Sequence, residues 1–154
     1  MLHGNRYSYY NQSTSVGAAN YTVLFTIYNR RYYNSLSNQS VINIMSVSAA
    51  LKHTSPCIIY LVRNATLAGN VNFSAPSTYS CSLLDTAATT LTFTDNSQVI
   101  WAGHMGDTSN IDHHFTSQLE DFTLQPGDML SVCAKSITGT PAYVTASLNT
   151  REDQ

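Results

Sequence analysis

No aspartate or glutamate occurs in the first 84 residues of this 154-residue chain, although five basic side chains do: Arg6, Arg30, Arg31, Lys52 and Arg63. All nine acids follow from Asp85 onward, against only Lys135 and Arg151, so a formal +5 front half precedes a formal −7 back half. A split of this kind predicts two ends or faces of opposite sign, which orient a protein against a partner or against its own copies. Charge is scarce throughout. Only 10% of residues are Asp, Glu, Lys or Arg, where soluble domains carry about 25%. Ser, Thr, Asn and ten tyrosines stand in their place. A surface so poor in charge is cheap to desolvate, as the cores of protein interfaces are. Five cations spread over 84 residues, with a net charge of −2, argue against direct nucleic-acid binding.

Other absences narrow the class further. No apolar run approaches the roughly 20 residues that a bilayer requires, so no membrane partner is expected. Residues 1–10 contain no apolar h-region, which predicts folding in the cytosol. Cys57, Cys81 and Cys133 are odd in number and lack metal-ligand spacing, so they read as free, buried thiols. Sequons at Asn11, Asn20, Asn38, Asn64 and Asn72 then follow from composition and not from glycosylation. No Gly-rich phosphate loop follows a strand, and no Ser-His-Asp or Cys-His arrangement stands out from the Ser-rich background. Neither an enzymatic reaction nor a cofactor is expected.

What the chain does contain is β signal. Residues 1–20 lack a periodic apolar pattern and read as an extended N-terminal arm; residues 21–154 read as one domain. Residues 22–28 alternate, with Val23, Phe25 and Ile27 expected on one side. Residues 90–94 alternate Thr with Leu91 and Phe93, and residues 130–135 and 142–149 alternate as well. Residues 56–62 are continuously apolar, the pattern of a strand covered on both faces. Residues 41–51 change phase near Ile44 and Met45, which predicts a bulge or bend. Gln125-Pro126-Gly127-Asp128 fits a type II turn. Shorter strands are expected near 67–73, 78–84, 98–102 and 115–124. About nine or ten strands at this spacing predict an all-β protein, an antiparallel β-sandwich of jelly-roll type.

The candidate contact residues are Arg6, Tyr7, Tyr9 and Tyr10 on the arm and the basic-aromatic run Arg30, Arg31, Tyr32 and Tyr33. Tyrosine and arginine offer large contact area at low entropic cost. Trp101, the one tryptophan, is expected in the core and not as a sugar platform. His104, Asp107, Asp112, His113, His114 and Glu120 form the sole cluster that suggests metal chemistry. A cupin-like metalloenzyme is the corresponding alternative. Adjacent His113 and His114 point to opposite faces of a strand, and no histidine follows the Pro-Gly-Asp turn, so no metal site is expected.

Three blocks and the ending carry a resemblance. They are Ile58-Ile59-Tyr60-Leu61-Val62-Arg63-Asn64-Ala65-Thr66-Leu67-Ala68-Gly69, Leu84-Asp85-Thr86-Ala87-Ala88-Thr89 and Leu124-Gln125-Pro126-Gly127-Asp128-Met129-Leu130. The ending is Val144-Thr145-Ala146-Ser147-Leu148-Asn149-Thr150-Arg151-Glu152-Asp153. Over residues 40–154 the chain resembles small β-sandwich virion proteins of tailed bacteriophages, with Thr150 where an aromatic residue is usual. The resemblance implies a structural protein made in the host cytoplasm and carried on the virion. A capsid cement (decoration) protein at the capsid surface is the first expectation, with the major capsid protein and its own copies, as homotrimer or homodimer, for partners. A head fibre or a tail accessory protein that binds a receptor or glycan is the second.

Overall fold

The computed structural model describes residues 5–11, 13–52, 55–106, 110–115, 122–139 and 141–153. Two large antiparallel sheets pack face to face as a β-sandwich. The first contains β1 (Asn5–Tyr10), β2 (Thr14–Val16), β6 (Val41–Leu51), β12 (Asn110–His114), β13 (Thr123–Leu124) and β15 (Ala142–Asp153). The second contains β3 (Thr22–Asn29), β7 (Cys57–Arg63), β8 (Thr66–Gly69), β9 (Ser82–Asp85), β10 (Ala88–Thr92), β11 (Gln98–Met105) and β14 (Met129–Ser136). A small hairpin, β4 (Tyr32–Tyr33) and β5 (Leu36–Ser37), links β3 to β6.

The pairings have one topology behind them. β2 pairs β15, β3 pairs β14, β6 pairs β12 and β13, and β7 pairs β11. The chain is thus a long hairpin, its arms 14–63 and 98–153, wound up so that successive paired segments fall in alternate sheets. That winding is a jelly roll. Several strands run collinear in two pieces. β1 and β2 both lie along β15, and the Asn11 side chain bridges their junction: its Oδ1 accepts from Ala146 N at 2.7 Å and its Nδ2 donates to Val144 O at 3.1 Å.

Side-chain direction follows from register. On β15, residues 142, 144, 146, 148, 150 and 152 are buried and the intervening ones face out. Met45 is the extra residue of a bulge in β6, because Ser46 pairs Asn149 while Ile44 pairs Thr150. Ile42 and Ile44 can therefore point inward together with Val47 and Ala49, as the phase change in the sequence anticipated. A second bulge, at Leu24, alters the expected pattern on β3. It sends Leu24, Phe25 and Ile27 into the main core and turns Val23 to the opposite face.

That opposite face is covered too. Residues between β7 and β11 fold back over the outer side of the second sheet, and Ala65, Ala88 and Leu91 bury Val23, Val62 and Cys133 beneath them. Hence β7 is buried on both faces, Leu61 in the main core and Val62 in this smaller one. The Gln125–Asp128 turn has Gly127 at φ 95° and a 2.9 Å bond from Asp128 N to Gln125 O, the type II geometry expected.

Residues 5–10 and 14–16 differ from the expectation of an arm outside the core. β1 is hydrogen-bonded along β15, and Tyr9 and Val16 are core residues. The alternation was missed because tyrosines supply the apolar positions: Tyr7 and Tyr9 turn inward while Arg6, Ser8 and Tyr10 turn out.

The indole of Trp101 packs against the core, lies over Gly103 and stacks on His113, with ring centroids 5.5 Å apart. A Cβ at Gly103 would stand 2.5 Å from the indole and 2.9 Å from Ile111 Cδ1. Gly103→Ala is therefore expected to lower unfolding stability by about 1–3 kcal/mol, read by denaturant titration. Gly17→Ala, where a Cβ meets nothing within 4 Å, should leave it unchanged or slightly raised.

Candidate docking surface

The jelly-roll winding decides where the charges go. Front-half and back-half strands alternate across both sheets, so the sign split of the sequence does not become two ends of opposite sign. Several acids are also spent internally. Asp85, fully buried, accepts backbone amides from Asn72 (2.7 Å), Ala87 (3.3 Å) and Ala88 (3.0 Å). Asp128 accepts from Gln125 N at 3.0 Å within its turn. Glu152 points inward from β15 and is 2% exposed. Asp153 pairs with Arg151 at 3.0 Å.

The eight candidate contact residues separate into three places. Tyr9 is interior, its hydroxyl sharing a 2.6 Å bond with that of Ser82, and Tyr7 is half-buried against the core. The Tyr9 ring is closed to a partner and that of Tyr7 is partly covered, and burial raises the pKa of both phenols. Arg6 and Tyr10 stand on the outer face of the first sheet. Arg30, Arg31, Tyr32 and Tyr33 lie together on the hairpin. Asn34 (φ 53°) and Ser35 (φ 65°) make the two-residue turn, both in the left-handed region that a type I′ hairpin requires.

Two of those four are occupied in building the hairpin. Arg30 Nε donates to Cys81 O at 3.0 Å, its Nη2 donates to Ser80 O at 2.6 Å, and the guanidinium lies over the Tyr33 ring. The Tyr33 hydroxyl donates to Thr78 O. These bonds clamp the hairpin to the 74–81 loop. Also exposed are Arg31, which lies along Gly127 of the neighbouring turn, Tyr32 on one face of the hairpin, Leu36 on the face it shares with Tyr33, and Tyr79 on the loop. Tyr32, Leu36 and Tyr79 are each about 70% exposed (69%, 71% and 76%). No acid lies on either segment. The sequence reading missed Leu36 and Tyr79 because a lone apolar residue in a polar run carries no periodic signal.

Beneath this tip runs a buried polar network. Ser80 Oγ donates to Glu152 Oε1 at 2.6 Å and shares a 2.7 Å bond with Ser82 Oγ, which continues to Tyr9. Asn38 Nδ2 donates to Asn29 Oδ1 (2.7 Å) and Arg30 O (2.6 Å), and Asn29 Nδ2 donates to Ser40 O (2.9 Å) and Leu124 O (3.0 Å). Buried polar groups are costly unless satisfied, and when satisfied they fix one arrangement. The exposed tip therefore stands on a rigid base.

The described members of the metal cluster do not come together. His104 faces outward from the second sheet, opposite Met105; His113 stacks on Trp101; His114 faces outward from the first sheet, 3.6 Å from Asp112. Asp107 and Glu120 lie outside the described residues. Among the described residues no group of three His, Cys, Asp or Glu could hold an ion.

All three cysteines are free and buried. Burial pushes the Cys57 thiol up to about 11 and those of Cys81 and Cys133 to about 12, with the Glu152 carboxylate adding to the effect at Cys81. The thiols should resist an aromatic disulfide reagent at pH 8 until the protein is unfolded. Above the ordinary value of 9.0 the unfolded chain loses thiol protons that the folded one retains, so stability falls as pH rises. The thermal midpoint should decline from about pH 9 towards 11–12, and less steeply in a Cys133→Ala variant. The chain matches no protein-family model and no curated protein sequence.

Proposed function

We propose that the protein is a non-enzymatic structural component of a tailed-bacteriophage virion, a capsid cement protein that binds the assembled head and braces it. Its partners on this reading are the major capsid protein and further copies of itself, as trimer or dimer. The observation that carries the proposal is the tip: Arg31, Tyr32, Leu36 and Tyr79 project from two segments locked to each other and to Glu152. Exposed aromatics with an arginine on a preorganised support are what interface hot spots are made of. The resemblance of the sequence blocks to phage virion proteins points the same way.

A cement protein acts additively. It binds a surface that exists only when capsid subunits are assembled, and the shell gains stability by mass action. The absence of acids from both tip segments favours a shell surface of neutral or negative sign.

The test uses capsids that lack the protein, to which purified wild type or variant is added. A Tyr32→Ala/Tyr79→Ala variant, which removes only exposed rings, is expected to bind about 30-fold more weakly, read by co-sedimentation and by cryo-EM occupancy. The heat resistance that wild type confers on capsids should fall with it. Full occupancy by the variant would sink the proposal.

A further inference from the structure

The two outer faces of the sandwich differ. Part of the second sheet's outer face is covered by residues of the 65–91 stretch, whereas among the described residues no segment packs on the outer face of the first sheet, where two open hollows together form a trough. Register gives the shape directly. Across the four strand positions the outward rungs read Tyr10, Ser147, Ser48, Asp112 and then Ser8, Asn149, Ser46, His114. Small residues on β15 and β6 form the floor, and longer ones on β1 and β12 form the banks. The banks stand about 14 Å apart, three strand spacings, and the β1 bank runs about 13 Å from Arg6 to Tyr10.

The lining is polar and partly organised. Ser8 Oγ donates to Asn149 Oδ1 at 2.6 Å, Asn149 Nδ2 donates to Ser46 Oγ at 2.8 Å, and the Ser48 and Ser147 hydroxyls are 2.5 Å apart. Tyr10, 70% exposed, offers a free ring face on one bank. Asp112 and His114 offer acceptor and donor on the other. At the head of the trough Arg6 and Arg151 are cross-strand partners on the same outward face. Asp153 neutralises Arg151; among the described residues Arg6 has no ion pair. Like charges directly opposite are unfavourable unless an anion joins them.

We infer that this trough is a binding site for an acidic oligosaccharide, its carboxylate at Arg6, a sugar ring on Tyr10 and its hydroxyls on the Ser, Asn and Asp112 groups between. A helix or apolar peptide finds no hydrophobic floor here. An added strand finds no free backbone in mid-sheet. A chain of hydroxylated rings with a negative group matches the lining and Arg6, the lining cation that has no ion pair among the described residues. The inference does not rest on the capsid reading, because the trough and the tip are different surfaces.

The test is calorimetry of the purified protein with oligogalacturonate and sialyllactose, against maltotriose and lactose as neutral counterparts. At least one acidic probe should bind, more weakly as salt rises. Tyr10→Ala and Arg6→Gln should each weaken it about tenfold. Thr145→Trp, which fills the floor from an exposed strand position, should abolish it while the thermal midpoint stays unchanged. Failure of every probe at millimolar concentration overturns the site. Equal binding of neutral probes, or binding indifferent to all three substitutions, overturns it as well. Capsid occupancy should be unaffected by these variants, as sugar binding should be by Tyr32→Ala/Tyr79→Ala, so either reading can fail alone.

Discussion

Strand-by-strand pairing of the two arms, 14–63 with 98–153, is the constraint on which everything else in this molecule depends. Once β7 and β11 meet, β6 must find β12 and β13, β3 must find β14, and β2 must find β15. Each pair is more distant in sequence than the last, so loop closure is costly at every step. The compensation comes from the core between the sheets, where Phe25, Ile27, Ile42, Ile44, Ile59, Leu61, Leu130 and Leu148 are almost wholly buried. Each such side chain contributes about 1.5–3 kcal/mol on burial. The same winding interleaves the cationic front half with the acidic back half, so a long-range pattern in sequence becomes a fine-grained one in space.

Three of the acids that looked like a surface field are structural fittings. Asp85 holds the turn between β9 and β10, Asp128 closes the turn before β14, and Glu152 holds the 74–81 loop. A carboxylate accepts several amides or hydroxyls at once, which suits it to fixing irregular chain. Glu152 does this from within the sheet, at a position where alternation demands an inward side chain. Its partners on the loop are reached by Arg30 from the other side, through the carbonyls of Ser80 and Cys81. Loop and hairpin are thereby one unit, although Arg30 and Ser80 are 50 residues apart in sequence.

Much of the fold was legible because it is written in short periods. Alternation marked β3, β10, β14 and β15; the phase change near Met45 announced a bulge; Pro126 and Gly127 announced a turn. What failed was whatever depended on partners distant in the chain. Val23 shares its parity with Phe25, yet the bulge opposite β14 turns it into a second core made by residues 65–91. Tyr7 and Tyr9 resemble contact residues until β15 is laid beside them, when register turns both inward. Two of the exposed residues at the hairpin tip, Arg31 and Tyr32, lie in the basic-aromatic run of the sequence. Leu36 and Tyr79 do not: Leu36 comes beside Tyr33 through the hairpin register, and Tyr79 is brought near the hairpin by the bond from Tyr33 to Thr78.

The ten tyrosines acquire separate meanings from this geometry. A phenol can be buried when its hydroxyl finds a partner, and can be exposed without great cost because that hydroxyl is solvated. Tyr9 takes the first course through Ser82, and Tyr21 and Tyr60 pack edge to face with centroids 5.1 Å apart beneath Lys135. Tyr10, Tyr32 and Tyr79 take the second. An outward ring stabilises little in the isolated protein, yet each of these three sits on well-ordered β structure or on a loop clamped to it. Tyr10 overlooks a polar trough and the other two crown a basic, acid-free projection, so the two surfaces differ in the chemistry they present. A single jelly roll with few charges thereby presents one polar, hydroxyl-lined face and one tip that bears exposed aromatic rings.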